Sequence, residues 1–354
     1  MDFSIFKNKK VLITGNTGFK GTWLTLMLLK QGAIVYGISK SAHTAPLLFE
    51  MLGLRTDIEQ VTANLCDPAI EKHIESIRPD IIFHLAAQAI TTEGIKDPRF
   101  TIENNLSATL SILEYLRKTK DSCTTIFITS DKCYLNQEWH WAYRETDIIG
   151  GKEPYGASKS VCEIVYASYY QTYFKYMPTI STATARAGNV IGGGDFSSDR
   201  IIPDCVRAWG KKEPVVIRNK ESIRPWQHVM EPLSGYMQLC IKKIETGKFD
   251  GESFNFGPAD SAFHKVSDVV GEFASHISID LPKPIYTEAR IKESLEGKLL
   301  RINSDKAESC LGWKPKLSFK DSIKLTAEWY DTYFHDPSKI RSVMENQIDL
   351  YLSN

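Results

Sequence analysis

The sequence predicts an α/β fold in which a doubly wound parallel sheet is joined to a smaller, mixed α/β lobe at its C-terminal side. In the first half, short apolar runs alternate with longer amphipathic stretches, as strands joined by crossover helices do. The runs are apolar almost throughout, which indicates strands buried on both faces. The predicted strands are 10–14, 33–38, 59–63, 80–86, 124–129 and 180–187.

The second half of the chain has fewer regular elements and more Gly, Pro and Trp, which favours a lobe that covers a ligand over a second independent sheet. Its predicted elements are a helix from about Pro203 to Trp209, a strand at 253–258, a helix beginning near Val266 and a final amphipathic helix from about Lys320. We expect one domain over residues 1–188 and the lobe over 189–354, with about 226–258 returning to the first domain.

The overall composition excludes several classes of protein. The chain of 354 residues has a formal net charge of zero, so nothing points to nucleic acid or an anionic membrane as a partner. Seven scattered cysteines without a Cys-x-x-Cys pair indicate reduced thiols, with neither a disulfide framework nor a metal site. The sequence shows no signal-like segment and no run of ~18 uncharged apolar residues, so we expect a cytoplasmic protein.

A glycine-rich turn, VLITGNTGFKG, joins the first predicted strand to an apolar helix. Gly15, Gly18 and Gly21 provide a tight turn, close approach to a pyrophosphate and close packing of helix on strand. The helix N-terminus that follows favours an anion. This context predicts a Rossmann-type, NAD(P)-binding first domain, with Thr17, Phe19 and Lys20 in the same loop as further cofactor contacts.

The choice between NAD and NADP stays open at the second strand. Many NAD-binding units hold the adenosine ribose with an acidic residue there, whereas this chain has Ser39 and Lys40. Lys40 would attract a 2′-phosphate rather than repel it. Asp67, beyond the third strand, is predicted either to accept from the adenine amino group or to cap a helix.

A possible catalytic group follows from Tyr155 and Lys159, which are four residues apart on a predicted helix and therefore share one face. An ammonium and a positive nicotinamide ring beside the phenol favour phenolate, which makes Tyr155 a plausible general base. Ser130 lies at the carboxyl end of a strand, where open α/β sheets bind ligands. The opposite, inward face of the helix is predicted to comprise Val161, Ile164, Val165 and Ser168.

Together these motifs resemble the extended short-chain dehydrogenases/reductases. The segments SDKCY and YRETDIIGGKEPYGASK narrow the resemblance to the nucleotide-sugar 4,6-dehydratases, and in particular to the CDP-glucose 4,6-dehydratases. ARAGNVIGGGD, IRPWQHVMEPLSGY, FNFGP and DKAESCLGWKP continue it through nearly the whole chain. The sequence departs from the usual pattern at AITTEG (89–94), where relatives have a Pro and an Arg after AAQ, at Ala108 and at Asn303.

The resemblance implies an internal redox shuttle on a hexose. Tyr155 would take the O4 proton as hydride leaves C4, Lys159 would tune the phenol and hold the nicotinamide ribose, and Ser130 would orient the sugar. Asp131 would protonate the departing C6 hydroxyl, since a desolvated carboxyl keeps its proton near neutrality. Lys132 would remove the C5 proton, provided that it is neutral, or else act as an electrostatic partner of Asp131.

The same resemblance implies further binding residues. Leu85, Ala86, Ala87, Gln88 and Asn105 are predicted to contact the cofactor. The predicted substrate-binding residues are Gln88, Asn189, Arg207, Arg218 and Arg224. Arg186 and Lys220 are weaker candidates for contacts with the diphosphate, and His228 is expected to be a packed or hydrogen-bonded histidine.

Other functions remain open from the sequence. An epimerase or reductase of the same superfamily would keep Tyr155 and Lys159 without needing Asp131 and Lys132. The substrate could also be a sugar linked to UDP, GDP or dTDP instead of CDP. A protein of another class, an NAD(P)-sensing binding protein, would share the fold. We expect a homodimer or homotetramer that pairs through the helix near 100–118 and the helix after Tyr155, although the leucines at 106, 110, 113 and 116 also suit the domain's own core.

Overall fold

The computed structural model describes residues 2–40, 47–217, 220–258, 264–286 and 299–353. Within these ranges seven strands form one sheet in which every neighbouring pair is parallel. The strands are β1 (Lys10–Thr14), β2 (Ile34–Ser39), β3 (Glu59–Thr62), β4 (Ile81–His84), β5 (Cys123–Ile128), β6 (Ile180–Ala187) and β7 (Ser253–Phe256). Their order is β7-β6-β5-β4-β1-β2-β3. The doubly wound sheet is therefore confirmed.

The direction of winding reverses between β1 and β4, which are neighbours in the sheet although β2 and β3 separate them in sequence. In such sheets the crevice at the carboxyl ends of the two strands is where ligands bind. The edge strand β7 comes from the second half of the chain and pairs with β6 from Ser253↔Thr184 to Phe256↔Ala187. The division into domains at residue 188 stays a prediction.

Helices cover both faces of the sheet. They are α1 (Phe19–Lys30), α2 (Leu48–Met51), α3 (Ile70–Ile77), α4 (Thr91–Lys96), α5 (Pro98–Lys118), α6 (Pro154–Thr172), α7 (Ile201–Gly210), α8 (Met230–Thr246), α9 (Val266–Ser275), α10 (Phe319–His335) and α11 (Ile340–Ser353). Single turns occur at Ser4–Phe6, Leu54–Thr56, Asp131–Cys133, Phe174–Tyr176, Ala307–Leu311 and Pro337–Lys339. Two-residue strands pair Val190–Ile191 with Gln227–His228, Ile223–Arg224 with His264–Lys265, and Val216–Ile217 with Ile285–Tyr286.

The two long helices α5 and α6 each begin with an acidic residue that caps the helix. Asp97 accepts a hydrogen bond from the Phe100 amide ahead of α5, and Glu153 accepts from the Tyr155 and Gly156 amides ahead of α6. A proline follows each cap, at the first helical position where its missing N–H costs nothing. These caps fix where each helix starts.

The C-terminal end differs from the prediction of one final helix from about Lys320. Helix α10 begins at Phe319 behind a capping box of Ser318 and Asp321, but it ends at His335, and α11 follows. Pro337 explains the break, because a proline cannot donate to the preceding turn of a continuing helix. Asp336 accepts from the Ser338 amide and restarts the chain.

The inward face of α6 was predicted wrongly. Ile164 is 59% exposed and Ser168 is also exposed, whereas Cys162, Glu163 and Tyr166 are buried. The buried face of α6 is the face that carries Lys159, so it includes charged and polar side chains. Apolar periodicity therefore indicated the wrong stripe, because tertiary partners make these polar groups tolerable in the core.

On α5, Leu113 and Leu116 belong to the core on the same side of the sheet as α3 and α6. Leu106 and Leu110 are only half-buried. The first two leucines are therefore core residues, while the other two leave part of this helix at the surface.

Candidate active site

A cleft of about 1120 Å³ opens at the carboxyl ends of β1, β4, β5 and β6. One wall comes from the glycine-rich turn and the segment after β4, and the floor comes from the turn after β5 and the start of α6. The opposite wall comes from the second half of the chain, mainly within 187–204, 216–217 and 222–226. The cleft therefore lies at the point where the direction of winding through the sheet reverses, between β1 and β4.

The glycine-rich turn has the geometry that a dinucleotide requires. Gly15 has φ +73°, and a Cβ there would stand 2.9 Å from the backbone of Ala86. A Cβ at Gly21 would overlap the carbonyl oxygen of Gly15, so the third glycine lets α1 pack on the turn. All six predicted residues of this turn line the cleft: Gly15, Thr17, Gly18, Phe19, Lys20 and Gly21. The loop thus fits a pyrophosphate held at the N-terminus of α1.

The end of β2 lines the far part of the same cleft with Ser39 and Lys40. The Ser39 hydroxyl accepts from Gln60 Nε2 at 3.0 Å, and Lys40 Nζ donates to Asn104 Oδ1 at 2.6 Å. Asp67 is exposed, is not among the residues that line the cleft, and accepts from the Ala69 amide at 2.9 Å. The structure therefore favours the turn-forming role of Asp67 over a contact with adenine.

The five predicted catalytic residues all line the cleft, on the turn after β5 and the first turns of α6: Ser130, Asp131, Lys132, Tyr155 and Lys159. Ser130 Oγ donates to Asp131 Oδ1 at 3.0 Å and accepts from the Lys132 amide at 3.2 Å. Lys159 Nζ donates to the carbonyl oxygen of Ile128 at 3.1 Å. The end of one strand and the start of one helix thus bring a carboxyl, a phenol, a hydroxyl and two lysine amines together.

The carboxyl of Asp131 is suited to holding a proton. The residue is 3% exposed, and burial raises its pKa, against the smaller effect of the Lys132 charge. Oδ2 has no hydrogen-bond partner among the described residues, and a Cβ at Gly188 would stand 3.0 Å from it. Because the residue also lines the cleft, a protonated Asp131 is placed beside the space that a ligand would fill.

The sequence of this chain matches those of known proteins over most of its length. The family model described as GDP-mannose 4,6 dehydratase matches residues 12–326. CDP-glucose 4,6-dehydratase of Salmonella typhimurium is 36% identical over 338 residues, which cover 94% of this chain and 93% of that protein. The chain belongs to the GDP-mannose 4,6 dehydratase family. The predicted resemblance to nucleotide-sugar 4,6-dehydratases is confirmed.

More distant relatives of this dehydratase-family member share its fold. The dTDP-glucose 4,6-dehydratase of the same organism is 27% identical over 91% of this chain and 92% of its own. A solved epimerase from Methanothermobacter thermautotrophicus superposes with a TM-score of 0.79 at 22% identity, over 95% of this chain and 96% of that one. UDP-glucuronic acid 4-epimerase of Bacillus cereus, in complex with UDP-glucuronic acid and NAD, has a TM-score of 0.76 at 20% identity, over 92% and 99%.

The protein alone, without a bound cofactor, does not favour the phenolate form of Tyr155. Burial raises the pKa of Tyr155 to about 12, against a smaller effect of the Ser130 hydroxyl, and the charge of Asp131 adds to the rise. Burial also lowers the pKa of the Lys159 ammonium. The expectation that Lys159 favours phenolate is therefore outweighed by desolvation in the chain itself.

Several predicted ligands have other partners in the structure. Leu85, Ala86, Ala87 and Gln88 line the cleft, but the Gln88 amide bonds to the backbone of Ile90 and to Thr101. Asn105 is buried outside the cleft lining and bonds to the Gln88 backbone and Ser158. Both side chains therefore hold the wall in place. Asn105 lies outside the cleft lining, so its predicted contact with the cofactor is corrected to this role, whereas the contacts of Gln88, which lines the cleft, stay a prediction.

On the substrate side, Asn189 and Arg224 line the cleft as predicted. Arg207 is not among the lining residues: it donates to the carbonyls of Phe196 and Ser197 and pairs with Asp204, so its proposed substrate contact is corrected. Arg218 lies outside the described residues.

The other candidates on the second half of the chain are not cleft residues either. Arg186 is buried against Glu163 and Lys220 does not line the cleft. His228 packs edge-on against Trp23, which confirms its structural role.

Three residues of the cleft have contacts or properties that the sequence did not reveal. The Thr91 hydroxyl accepts from Lys132 Nζ at 2.7 Å. Arg200 lines the cleft and donates to the buried Asp195 at 3.1 Å, although nothing in SSDRIIPD distinguishes it from a surface arginine. Lys20, predicted only as a loop contact, has its pKa lowered to about 8 by burial and by Arg200 and Lys159.

Two features are absent from the described ranges. No group of three or more His, Cys, Asp or Glu side chains there is placed to hold a metal ion. None of the helices in those ranges is both long and apolar enough to cross a bilayer.

Proposed function

We propose that this enzyme is a CDP-glucose 4,6-dehydratase that converts CDP-glucose into CDP-4-keto-6-deoxyglucose with loss of water. The observation that carries the proposal is the convergence of Ser130, Asp131, Lys132, Tyr155 and Lys159 in one cleft beside a dinucleotide-binding turn. The most similar relative reported above is named for this activity and matches over nearly the whole chain.

The cofactor is proposed to be NAD, with NADP left open by Lys40. The glycine-rich turn would hold its pyrophosphate, and Lys159 would hold its nicotinamide ribose. When bound, NAD supplies a hydride acceptor for C4 and a hydride donor for C6. Its positive ring also favours the phenolate of Tyr155, which the chain alone disfavours.

The first step is proton removal from the sugar. Tyr155 takes the O4 proton while the C4–H bond breaks as hydride, which leaves a ketone at C4. Ser130 orients the O4 oxygen from the carboxyl end of β5. The ketone acidifies the neighbouring C5–H bond, which prepares the sugar for elimination.

The second step is loss of water across C5 and C6. Lys132, as a neutral amine, takes the C5 proton, and the electron pair of the C5–H bond forms the C5=C6 double bond. Asp131 gives its proton to the C6 hydroxyl as the C6–O bond breaks, so water leaves. Hydride return to C6 and proton return from Lys132 to C5 complete the product.

The proton balance explains why Ser130 lies where it does. Over one cycle, the proton that Tyr155 gains from O4 equals the proton that Asp131 loses to water. Ser130 is hydrogen-bonded to Asp131 at 3.0 Å, and its hydroxyl also partly offsets the rise in the pKa of Tyr155. It is therefore placed to connect the two groups and restore both for the next turnover.

The diphosphate and the hexose are assigned to the opposite wall. Arg224 offers a guanidinium, which binds phosphate oxygens in a bidentate manner, and Asn189 offers an amide donor. Arg200 and Lys20 add positive charge to the same cleft. This density of cations suits a site that receives two pyrophosphate groups, one from the cofactor and one from the sugar nucleotide.

The test is a panel of CDP-, dTDP-, UDP- and GDP-linked glucose, with NMR detection of a 4-keto-6-deoxy sugar after incubation with the enzyme and NAD. The proposal predicts product from CDP-glucose at the highest kcat/KM. Product only from glucose linked to another nucleotide would mean that the substrate is not CDP-glucose. Inversion of the C4 hydroxyl without loss of water would mean that the protein is an epimerase. The epimerase remains the second candidate because solved epimerases share the fold, but it has no use for Asp131 and Lys132.

The assembly is proposed to be a homodimer or homotetramer formed through α5 and α6. The support is the exposed Ile164 on α6 and the half-buried Leu106 and Leu110 on α5. Light scattering of the protein and of Ile164→Glu tests this contact, since a charge in a two-fold interface should yield monomers. A cytoplasmic location stays a prediction.

A further inference from the structure

Thr91, the first residue of α4, touches a catalytic group that the proposed mechanism uses. Its Oγ1 accepts a hydrogen bond from Lys132 Nζ at 2.7 Å, and both residues line the cleft. The steps described above give Thr91 no task. It lies in the segment AITTEG, where this sequence departs from the pattern of the sequences that it resembles.

The position of the Thr91 backbone is fixed from one side by Gln88. The Gln88 side chain accepts from the Ile90 amide and donates to the Ile90 carbonyl, immediately before Thr91, and also donates to Thr101 on α5. The backbone of Gln88 is in turn held by the buried Asn105. This chain of bonds anchors the start of α4 to α5.

From the other side, α4 packs against the helix that carries the catalytic tyrosine. A Cβ at Gly94 would stand 3.4 Å from the Tyr155 amide nitrogen, which shows how close the two backbones are. The Thr91 hydroxyl is therefore held in a fixed relation to Lys132 and to Tyr155. A flexible lysine side chain gains a fixed direction from such a partner.

We propose that Thr91 is a positioning residue for Lys132, which it aims at C5 and supports as Lys132 takes up the proton; this rests on the proposed dehydratase function. A neutral amine has two N–H bonds and one lone pair. When Thr91 accepts one N–H, the amine loses freedom to rotate, and its lone pair is restricted to fewer directions. The hydroxyl thus improves the geometry of proton transfer.

The hydrogen bond also strengthens during the step. Lys132 becomes an ammonium as the C5–H bond breaks, and a hydrogen bond from a charged donor is roughly twice as strong as one between neutral groups. Stabilisation that grows toward the transition state accelerates the step. Oxidation at C4 depends on Tyr155 and Lys159 instead, so the loss of Thr91 should separate the two steps.

The experiment follows the absorbance of reduced nicotinamide during a single turnover of CDP-glucose by the NAD-loaded enzyme. In Thr91→Val and Thr91→Ala, we expect the reduced cofactor to form at a rate within about twofold of the original and to decay about 10- to 100-fold more slowly. Thr91→Ser retains the hydroxyl and should decay within about threefold of the original rate. Thr332→Val, a partly buried α10 position outside the cleft lining, is the matched control for exchange of threonine for valine.

The outcomes are distinguishable. Unchanged decay in both Thr91→Val and Thr91→Ala overturns the proposal, and so does slowing of both phases by the same factor in all three Thr91 variants, which would indicate a structural effect. If the unmodified enzyme makes no 4-keto-6-deoxy product from any sugar nucleotide, the proposed function fails and the role of Thr91 fails with it. Normal turnover by the unmodified enzyme together with a normal Thr91→Val variant overturns the role of Thr91 alone.

Discussion

Asp131 and Lys132 are adjacent residues that have to adopt unusual protonation states for the proposed elimination, one a neutral acid and the other a neutral amine. The structure supplies a cause for the first, since burial raises the pKa of Asp131. The pair with both groups neutral has the same total charge as the ion pair, so the two protons are coupled.

Replacement of Lys132 by Met separates the two halves of the reaction. The Lys132→Met variant should still oxidise C4 through Tyr155 and Lys159, but the C5 proton would have no base, so reduced cofactor should accumulate. We expect product formation to fall about 10²- to 10⁴-fold, as judged by NMR, with reduced nicotinamide visible by absorbance. Normal turnover in this variant would show that Lys132 is not the base.

Lys40 provides a second prediction at this scale. It lines the adenosine end of the cleft beside Ser39, where many NAD-binding units have a carboxylate. In Lys40→Ala, the affinity for NADP measured by calorimetry should fall about tenfold, because a 2′-phosphate loses its cation, while that for NAD changes little. Lys72→Ala, an exposed position on α3, serves as the control. Equal losses for both cofactors would exclude a contact between Lys40 and the 2′-phosphate.

Residues that could be predicted from the sequence share a local signal. The spacing of Gly15, Gly18 and Gly21 between a strand and a helix specifies a turn, and Ser130 was placed by its position at a strand end. Arg207 and Asn105 could not be assigned correctly, because the partner of a polar side chain depends on residues distant in sequence. Thr91 was missed for the same reason.

At the scale of elements, α6 is joined to β6 by a buried ion pair. Arg186 on β6 donates to Glu163 on α6 from Nε and Nη2 at 2.8 and 2.9 Å, and its Nη1 donates to Tyr134 at 2.8 Å. Burial opposes the charge of Glu163, yet Arg186 and two threonine hydroxyls hold its pKa below the usual value. The network fixes the helix that carries Tyr155 and Lys159 beside the turn that carries Asp131.

Removing one charge from this pair should be costly. Glu163→Gln leaves the Arg186 guanidinium buried and unneutralised, so we expect a loss of about 3–5 kcal/mol in the free energy of unfolding, measured by urea denaturation. The exposed pair of Lys242 and Glu245 on α8 is the control, and Glu245→Gln should change little.

The double variant Glu163→Gln/Arg186→Met removes both charges and should recover part of the lost stability. A Glu163→Gln protein as stable as the original would contradict the view that this pair holds α6 in place.

The elements themselves were largely predictable, because strand length and apolarity are properties of short segments. β1 and β6 have the predicted limits, and the other predicted strands differ by one or two residues at their ends. The face of α6 was not predictable from apolarity, because its buried side carries Glu163 and Lys159. The break after α10 depends on a single proline in a polar stretch.

At the scale of the whole molecule, the core formed by the described residues contains two buried histidines, one in β4 and one ahead of α8. His84 bonds to Thr14 Oγ1 at 2.8 Å and His228 packs on Trp23. Burial lowers both pKa values from 6.5 to about 3, with a smaller contribution from Lys159 at His84. Each imidazole is therefore neutral in the folded protein over a range in which the unfolded chain is protonated.

This difference predicts loss of stability in acid. Between pH 6.5 and about 3 the unfolded chain binds more protons, so the free energy of unfolding falls as pH falls, by up to about 1.4 kcal/mol per pH unit for each histidine. Well above pH 6.5 the imidazoles are neutral in both states, so neither group contributes a slope.

Urea denaturation of His228→Gln from pH 7 to 4.5 should show a shallower dependence on pH, whereas the exposed His140→Gln should match the original. Identical slopes in all three proteins would contradict this origin of the acid sensitivity.

The most direct test of the whole account follows one hydride. CDP-glucose deuterated at C4 is incubated with the enzyme and a trace of NAD, and NMR locates the label in the product. The account predicts deuterium at C6 of a 4-keto-6-deoxy sugar, because the hydride taken from C4 returns within the same cleft. Deuterium in free reduced cofactor, with a ketone at C4 and no loss of water, would instead show a simple dehydrogenase and contradict the dehydratase mechanism.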